Sequence, residues 1–168
     1  MTLETYFMQF TNRLFPLRVL LLLSAVLLLT LNIFSFYGIY THKFYFLKFD
    51  NYIFPILTIV HFLYLFSLWN KRKQPQTPDI NMRNIEYTLY FIYMIYIFKF
   101  VESIYRLTTY TDFEIDLIPE TFFPIGLILI FMHLFLLIIT IITFNYRRKA
   151  IGAYDFEDLN DNIDAWKK

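Results

Sequence analysis

The sequence predicts an all-α integral membrane protein, a four-helix bundle that crosses the bilayer up-down-up-down with both termini on the cytoplasmic side. Of the 168 residues, 58% are hydrophobic and 17% are charged, which is well outside the composition of soluble domains. Three uncharged runs are each long enough to cross the hydrocarbon core as a helix, which takes about 20 residues. The chain therefore has room for one bundle but not for an added soluble catalytic domain of ~100 residues.

The first 16 residues predict an amphipathic helix that lies in the membrane interface. Four apolar residues recur at helical spacing before the proline that ends the segment: Leu3, Phe7, Phe10 and Leu14. They give the segment one apolar face. The apolar run that follows is longer than the ~7 to 15 residues of a signal-peptide core, so we expect it to stay in the membrane as an anchor.

Four spans are predicted within a membrane domain over residues 17–146, at about residues 18–41, 51–70, 86–110 and 121–146. The first, second and fourth follow the uncharged apolar runs. The third contains three charged residues, but its apolar first half and the need to return the chain across the bilayer also indicate a span. Pro55 and Pro124 fall in the first turns of the second and fourth spans, where a missing N–H costs least.

The distribution of basic residues predicts the orientation of the spans, because cytoplasmic loops of membrane proteins are enriched in Lys and Arg. The N-terminal segment, the middle loop and the C-terminal tail together contain eleven basic residues, whereas the other two loops contain only Lys43 and Lys48. Loop 111–120 has four acidic residues and no basic one. We therefore expect a plasma or inner membrane with cytoplasmic termini, or matrix-side termini in an organelle.

The acidic C-terminal tail, residues 147–168, predicts a short amphipathic helix. Four apolar residues form one stripe at helical spacing, named here the tail stripe: Phe156, Leu159, Ile163 and Trp166. This stripe can pack under its own bundle or at the membrane surface, or it can dock on a protein partner. Because the acidic face would be repelled by anionic lipid, contact with protein is slightly favoured over contact with the membrane surface.

A polar layer is predicted near mid-membrane, with one residue from each span: Asn32, His61, Lys99 and His133. Counting ~1.5 Å per helical residue brings all four within roughly the middle third of the bilayer. Polar and ionisable groups at this depth are costly and usually face the bundle interior or a cavity. These positions are therefore the first place to look for function.

Two further charges, Glu102 and Arg106, share a face of the third span with Lys99 and extend this layer. One interpretation is that the polar groups hydrogen-bond to one another and to tyrosines, which would fix how the helices pair. A second is a path for protons or ions. A third is a b-type haem with His61 and His133 as axial ligands, since spans two and four would be diagonal in such a bundle.

Several classes of function are excluded or disfavoured by the residues present. The absence of cysteine excludes disulfides, thiolate metal sites and cysteine nucleophiles. The chain contains no phosphate-binding glycine loop, no HExxH pair and no GxSxG elbow, and no basic run that suggests nucleic acid. We therefore expect no metal and no catalytic site.

The function expected from the sequence is that of a non-enzymatic accessory or scaffold subunit, which binds a membrane-protein partner or self-associates. The alternative is a small ion or proton channel or carrier that uses the polar layer. The haem-binding redox subunit is the third possibility.

Overall fold

The structure, a computed structural model, describes residues 16–71, 80–109 and 119–152 together with Tyr154. Within these ranges it contains four long helices: α1 (Leu17–Phe36), α2 (Ile53–Lys71), α3 (Ile80–Thr108) and α4 (Phe122–Ile151). Each is long and apolar enough to cross a bilayer, so the chain is an integral membrane protein. The predicted interfacial segment before Pro16 and the tail stripe lie outside the described residues.

The helix bounds differ from the predicted spans at three places. Helix α1 ends at Phe36 and not near residue 41, whereas α3 begins at Ile80 and α4 continues to Ile151. The reason is that apolar runs report the depth of the hydrocarbon and not the length of the helix. Polar residues at the start of α3 and the end of α4 extend both helices beyond the apolar runs.

A small hairpin replaces the predicted end of the first span. Strand β1 (Tyr37–Gly38) pairs antiparallel with β2 (Lys43–Phe44), and one 3-10 turn (Phe49–Tyr52) leads into α2. The Tyr45 ring packs closely over Gly38: a Cβ at this position would lie 2.6 Å from Cε2 of the ring, so a larger residue would require the ring to move. The ring therefore covers the backbone where the chain leaves α1.

The four helices pack as a ring in which α1 contacts α2 and α4, and α3 also contacts α2 and α4. One fully buried leucine from each helix lies in the shared core: Leu28, Leu68, Leu89 and Leu136. At the start of α1, the guanidinium of Arg18 lies 5.9 Å from the ring centre of Trp69 near the end of α2. The ring centres of Tyr90 in α3 and Phe144 in α4 are 4.5 Å apart.

The outer faces of the helices are covered with large apolar side chains, including Leu22, Phe66, Phe91 and Phe131, each at least 60% exposed. Such a surface suits contact with lipid tails. Because lipid is as apolar as leucine, the helices associate through close packing and interhelical hydrogen bonds and not through removal of apolar surface from water.

We expect Leu136→Ala to lower the free energy of unfolding by about 1 to 3 kcal/mol. This is below the usual range for soluble cores, because the cavity term remains while the transfer term largely cancels in lipid. Leu134→Ala, at a side chain 38% exposed on the same helix, is the control and should have little effect. Unfolding in mixed detergent micelles would measure both; equal losses would contradict this packing.

Candidate functional site

A cleft of about 660 Å³ opens at the end of the bundle that carries the hairpin, and we name it the Glu102 cleft. It lies among the end of α1, the hairpin, the start of α2, the second half of α3 and the first half of α4. Its polar lining includes four of α3's residues and one of α4's: Lys99, Glu102, Ser103, Arg106 and His133. The cleft thus contains four of the six polar residues that the sequence predicts for the membrane interior.

The charged residues of the cleft form one network centred on Glu102. The Lys99 ammonium donates to one oxygen of the Glu102 carboxylate at 2.8 Å, and the Arg106 guanidinium donates to the other at 2.5 Å. Spacings of i, i+3 and i, i+4 hold all three on one helix face. The side chains of Lys99 and Arg106 remain 34% and 51% exposed. Pairing and access to the cleft explain how charges are tolerated within a span.

His133 lines the same cleft from α4. Its Nδ1 lies 2.8 Å from the carbonyl oxygen of Leu129 and 3.5 Å from the hydroxyl of Ser103. Because a carbonyl can only accept, Nδ1 carries the hydrogen of this contact, and Nε2 of the neutral ring is then the acceptor. The Ser103 hydroxyl in turn donates to the Lys99 carbonyl at 2.8 Å.

Asn32 and His61 do not lie with these groups. The Asn32 side-chain oxygen accepts from the hydroxyl of Thr58 at 3.4 Å, which is a contact between α1 and α2. His61 is fully buried, and its Nδ1 lies 3.3 Å from the Tyr96 hydroxyl in α3. The structure therefore divides the six positions among a polar contact of α1 with α2, one of α2 with α3, and the Glu102 cleft.

The two histidines are separated by aromatic rings. The Tyr96 ring stacks on His61, and the Phe54 ring contacts both Tyr96 at 5.7 Å and His133 at 6.3 Å between ring centres. A haem bound by both imidazoles would have to displace these two rings, so the side chains present do not fit it. Among the described residues, no group of three His, Asp or Glu side chains is placed to hold a metal ion.

A second polar site lies at the opposite end of α3 and α4, and we name it the Glu86 cluster: Glu86, Tyr90, Arg147 and Tyr154. Glu86 is fully buried and Arg147 is 5% exposed, and the two form an ion pair. The hydroxyls of Tyr90 and Tyr154 each donate to the Glu86 carboxylate at 2.6 Å, one to each oxygen. The carboxylate thus accepts hydrogen bonds from α3, from α4 and from the chain beyond α4.

The chain turns back at the end of α4 to complete this cluster. Gly152 has φ 95° and ψ −177°, a region that only glycine occupies readily. Its carbonyl accepts from the Arg147 guanidinium at 2.9 Å, and the same guanidinium lies 4.4 Å from the ring centre of Tyr154. Burial, followed by the hydrogen bond to Glu86, raises the pKa of Tyr154. Its hydroxyl therefore remains a donor at neutral pH.

Sequence reasoning missed the Glu86 cluster, since it placed Glu86 at the edge of the third span and Arg147 in the tail. One signal was present. Glu86 directly precedes the apolar first half of the third span, and Arg147 directly follows the apolar run of the fourth, so opposite charges flank two consecutive spans at the ends that antiparallel packing brings together.

Compared with known proteins, the chain matches no family model, and no curated protein or solved structure shows significant similarity to it. The function is therefore inferred from the two polar sites and their surroundings.

We expect Glu86→Gln to destabilise the bundle by about 3 to 5 kcal/mol, because it leaves the Arg147 charge buried without its counter-charge. The double variant Glu86→Gln with Arg147→Gln should recover part of this loss. Tyr154→Phe removes one hydrogen bond to a charged group and should cost about 1.5 to 3 kcal/mol.

The control is Asp50→Asn, which breaks the exposed contact of Asp50 with Lys48 at 3.9 Å and should cost at most about 1 kcal/mol. Denaturation in mixed micelles would compare all four proteins. A loss in Glu86→Gln no larger than that in Asp50→Asn would show that the ion pair does not hold the helices together.

Proposed function

We propose that this protein is a non-enzymatic four-span membrane protein that binds a protein partner through its C-terminal tail. It would act as an accessory or scaffold subunit of a larger membrane complex, or it would bind another copy of itself. The observation that supports this most directly is the hydrogen bond of Tyr154 to the buried Glu86 carboxylate, because it attaches the start of the tail to the bundle.

A tail attached in this way has a fixed starting point. Phe156, the first residue of the tail stripe, is only two positions beyond Tyr154. Fixing the base of a short helix reduces the conformational entropy that is lost when the helix docks, and this lowers the free-energy cost of binding. The acidic residues that alternate with the stripe oppose binding to anionic lipid and favour a protein surface.

The proposed topology is up-down-up-down, with both termini on the cytoplasmic side of a plasma or inner membrane, or on the matrix side in an organelle. Two contacts support alternating directions: Arg18 with Trp69 joins the start of α1 to the end of α2, and Glu86 with Arg147 joins the start of α3 to the end of α4. The same end of the bundle carries most of the basic residues, which supports a cytoplasmic assignment.

A channel or carrier is supported less well. Between the Glu102 cleft and the Glu86 cluster, α3 contributes Leu89 and Ile92 to the core, and α4 contributes Leu136 and Ile139, all at most 2% exposed. The hydroxyls of Thr140 and Thr143 in this region donate to backbone carbonyls of their own helix. An ion crossing the bundle would have to pass these packed apolar side chains.

The topology predicts which sites an impermeant thiol reagent can reach in intact cells, and the native chain has no cysteine to interfere. Leu47→Cys, at a side chain 97% exposed beside the hairpin, and Ile115→Cys should be labelled. Thr77→Cys should be labelled only after permeabilisation. Labelling of position 77 with protection of position 47 in intact cells would show that the orientation is inverted.

The tail is tested by Ile163→Ala with Trp166→Ala, which removes half of the tail stripe. We expect association with a partner or with a second copy to fall about tenfold or more, since each lost side chain carries about 1 kcal/mol or more of contact energy. Co-purification from cells and cross-linking between copies would measure it. Expression should stay unchanged, because the four spans set insertion.

Asp161→Asn, on the face of the predicted tail helix opposite the stripe, is the matched control and should leave association near the wild-type level. Unchanged association in the double variant at unchanged expression would rule out docking through the stripe. Loss of expression together with association would show that the tail is part of the fold.

A further inference from the structure

We infer that the Glu102 cleft is a binding site for an amphiphile with a phosphate or carboxylate head. This inference does not rest on the proposed role of the tail, since the cleft lies at the other end of the bundle. It rests on three features of the cleft as formed by the described residues: their excess of positive charge, the apolar walls and the opening toward the outer face of the bundle.

The charge of the network favours an anion. Lys99 and Arg106 share the single carboxylate of Glu102, which leaves a net charge of +1 within the cleft network. Each of the two carboxylate oxygens already accepts a hydrogen bond from one of these cations. The ammonium has three N–H donors and the guanidinium has five, so both cations retain donors for a second oxyanion. Arginine is also well matched to phosphate and carboxylate geometry.

The walls and volume favour an organic ligand over a small inorganic anion. Around the charged network the cleft is lined by rings and aliphatic side chains, among them Phe34, Phe54, Phe98, Phe122 and Leu129. A volume of about 660 Å³ is within the range of ~300 to 1,000 Å³ that is typical of sites for organic ligands. A phosphate ion alone would leave these apolar walls facing water.

The position of Phe98 gives such a ligand a route from the membrane. Phe98 lines the cleft and is also 66% exposed on the outer face of α3, so one edge of the cleft reaches the surface that faces lipid. Arg106 lies in the last turn of α3, and Lys99 lies ~10 Å deeper by helical rise. A head group at the interface can therefore reach the cations while its chain lies against the rings.

The test uses the full-length protein in nanodiscs and in detergent. Native mass spectrometry would count phosphatidic acid and phosphatidylcholine retained on the wild-type protein, and a titration would compare octyl phosphate, inorganic phosphate and octanol. We expect phosphatidic acid to bind on the order of tenfold or more tightly than zwitterionic phosphatidylcholine, whose positive group opposes the cations of the cleft. Octyl phosphate should bind more tightly than uncharged octanol and chainless inorganic phosphate by a similar factor. If phosphatidic acid is retained but octyl phosphate does not bind, the natural ligand is a membrane lipid. If octyl phosphate binds but phosphatidic acid is not retained, the natural ligand is a soluble amphiphilic acid.

Variants separate the cleft from general attraction to the protein surface. Lys99→Met with Arg106→Gln should reduce binding about tenfold or more, whereas Glu102→Gln, which raises the charge of the network to +2, should increase it. If the network only held the fold together, binding would fall in the double variant and in Glu102→Gln alike. Lys43→Gln, an exposed basic residue of the hairpin that does not line the cleft, is the control and should behave as wild type.

The inference is overturned if the wild-type protein does not distinguish phosphatidic acid from phosphatidylcholine and also does not distinguish octyl phosphate from octanol. It is equally overturned if Lys43→Gln weakens binding as much as the double variant. The comparison of ligands needs only wild-type protein, so it decides the inference even if a cleft variant does not fold.

Discussion

The ion pair between Glu86 and Arg147 joins three parts of the chain at one end of the bundle. It connects the start of α3 to the end of α4, and through Gly152 and Tyr154 it also connects the chain beyond α4. With both charges withdrawn from water, separating them costs far more than breaking an exposed pair. A slip of one helical turn, about 5.4 Å, would separate them. The pair therefore fixes the register of α3 against α4, on which the other contacts between these helices depend.

The two glutamates of α3 illustrate how the placement of a partner decides the role of a charge. Glu102 is bonded to Lys99 and Arg106 on its own helix, so its charge is balanced without a neighbouring helix. Glu86 takes its cation from α4, 61 positions along the chain. Pairing within α3 leaves the space beside Glu102 open as a cleft, whereas pairing across to α4 holds the two helices together at Glu86.

Most of the fold, but only part of the site, could be predicted from the sequence. Apolar runs of sufficient length identify the four helices, because lipid imposes both composition and length. The grouping of Lys99, Glu102 and Arg106 follows from helical spacing alone. The proposed layer of Asn32, His61, Lys99 and His133 used depth without rotation about the helix axis, and the structure gives Asn32 and His61 different neighbours from His133. The pairing of Glu86 with Arg147 depends on tertiary packing, which local periodicity does not contain.

The separation of the two polar sites bears on how they can work. Helix α4 contributes His133 to the cleft and Arg147 to the Glu86 cluster, and these residues are ~21 Å apart along the helix. The side chains between them belong to the packed core, with Leu136 and Ile139 almost completely buried. Substitutions at sites this far apart, with no shared partner, usually have additive effects. The end that binds Tyr154 and the end that contains the cleft can therefore vary independently, with the apolar core between them keeping both in place.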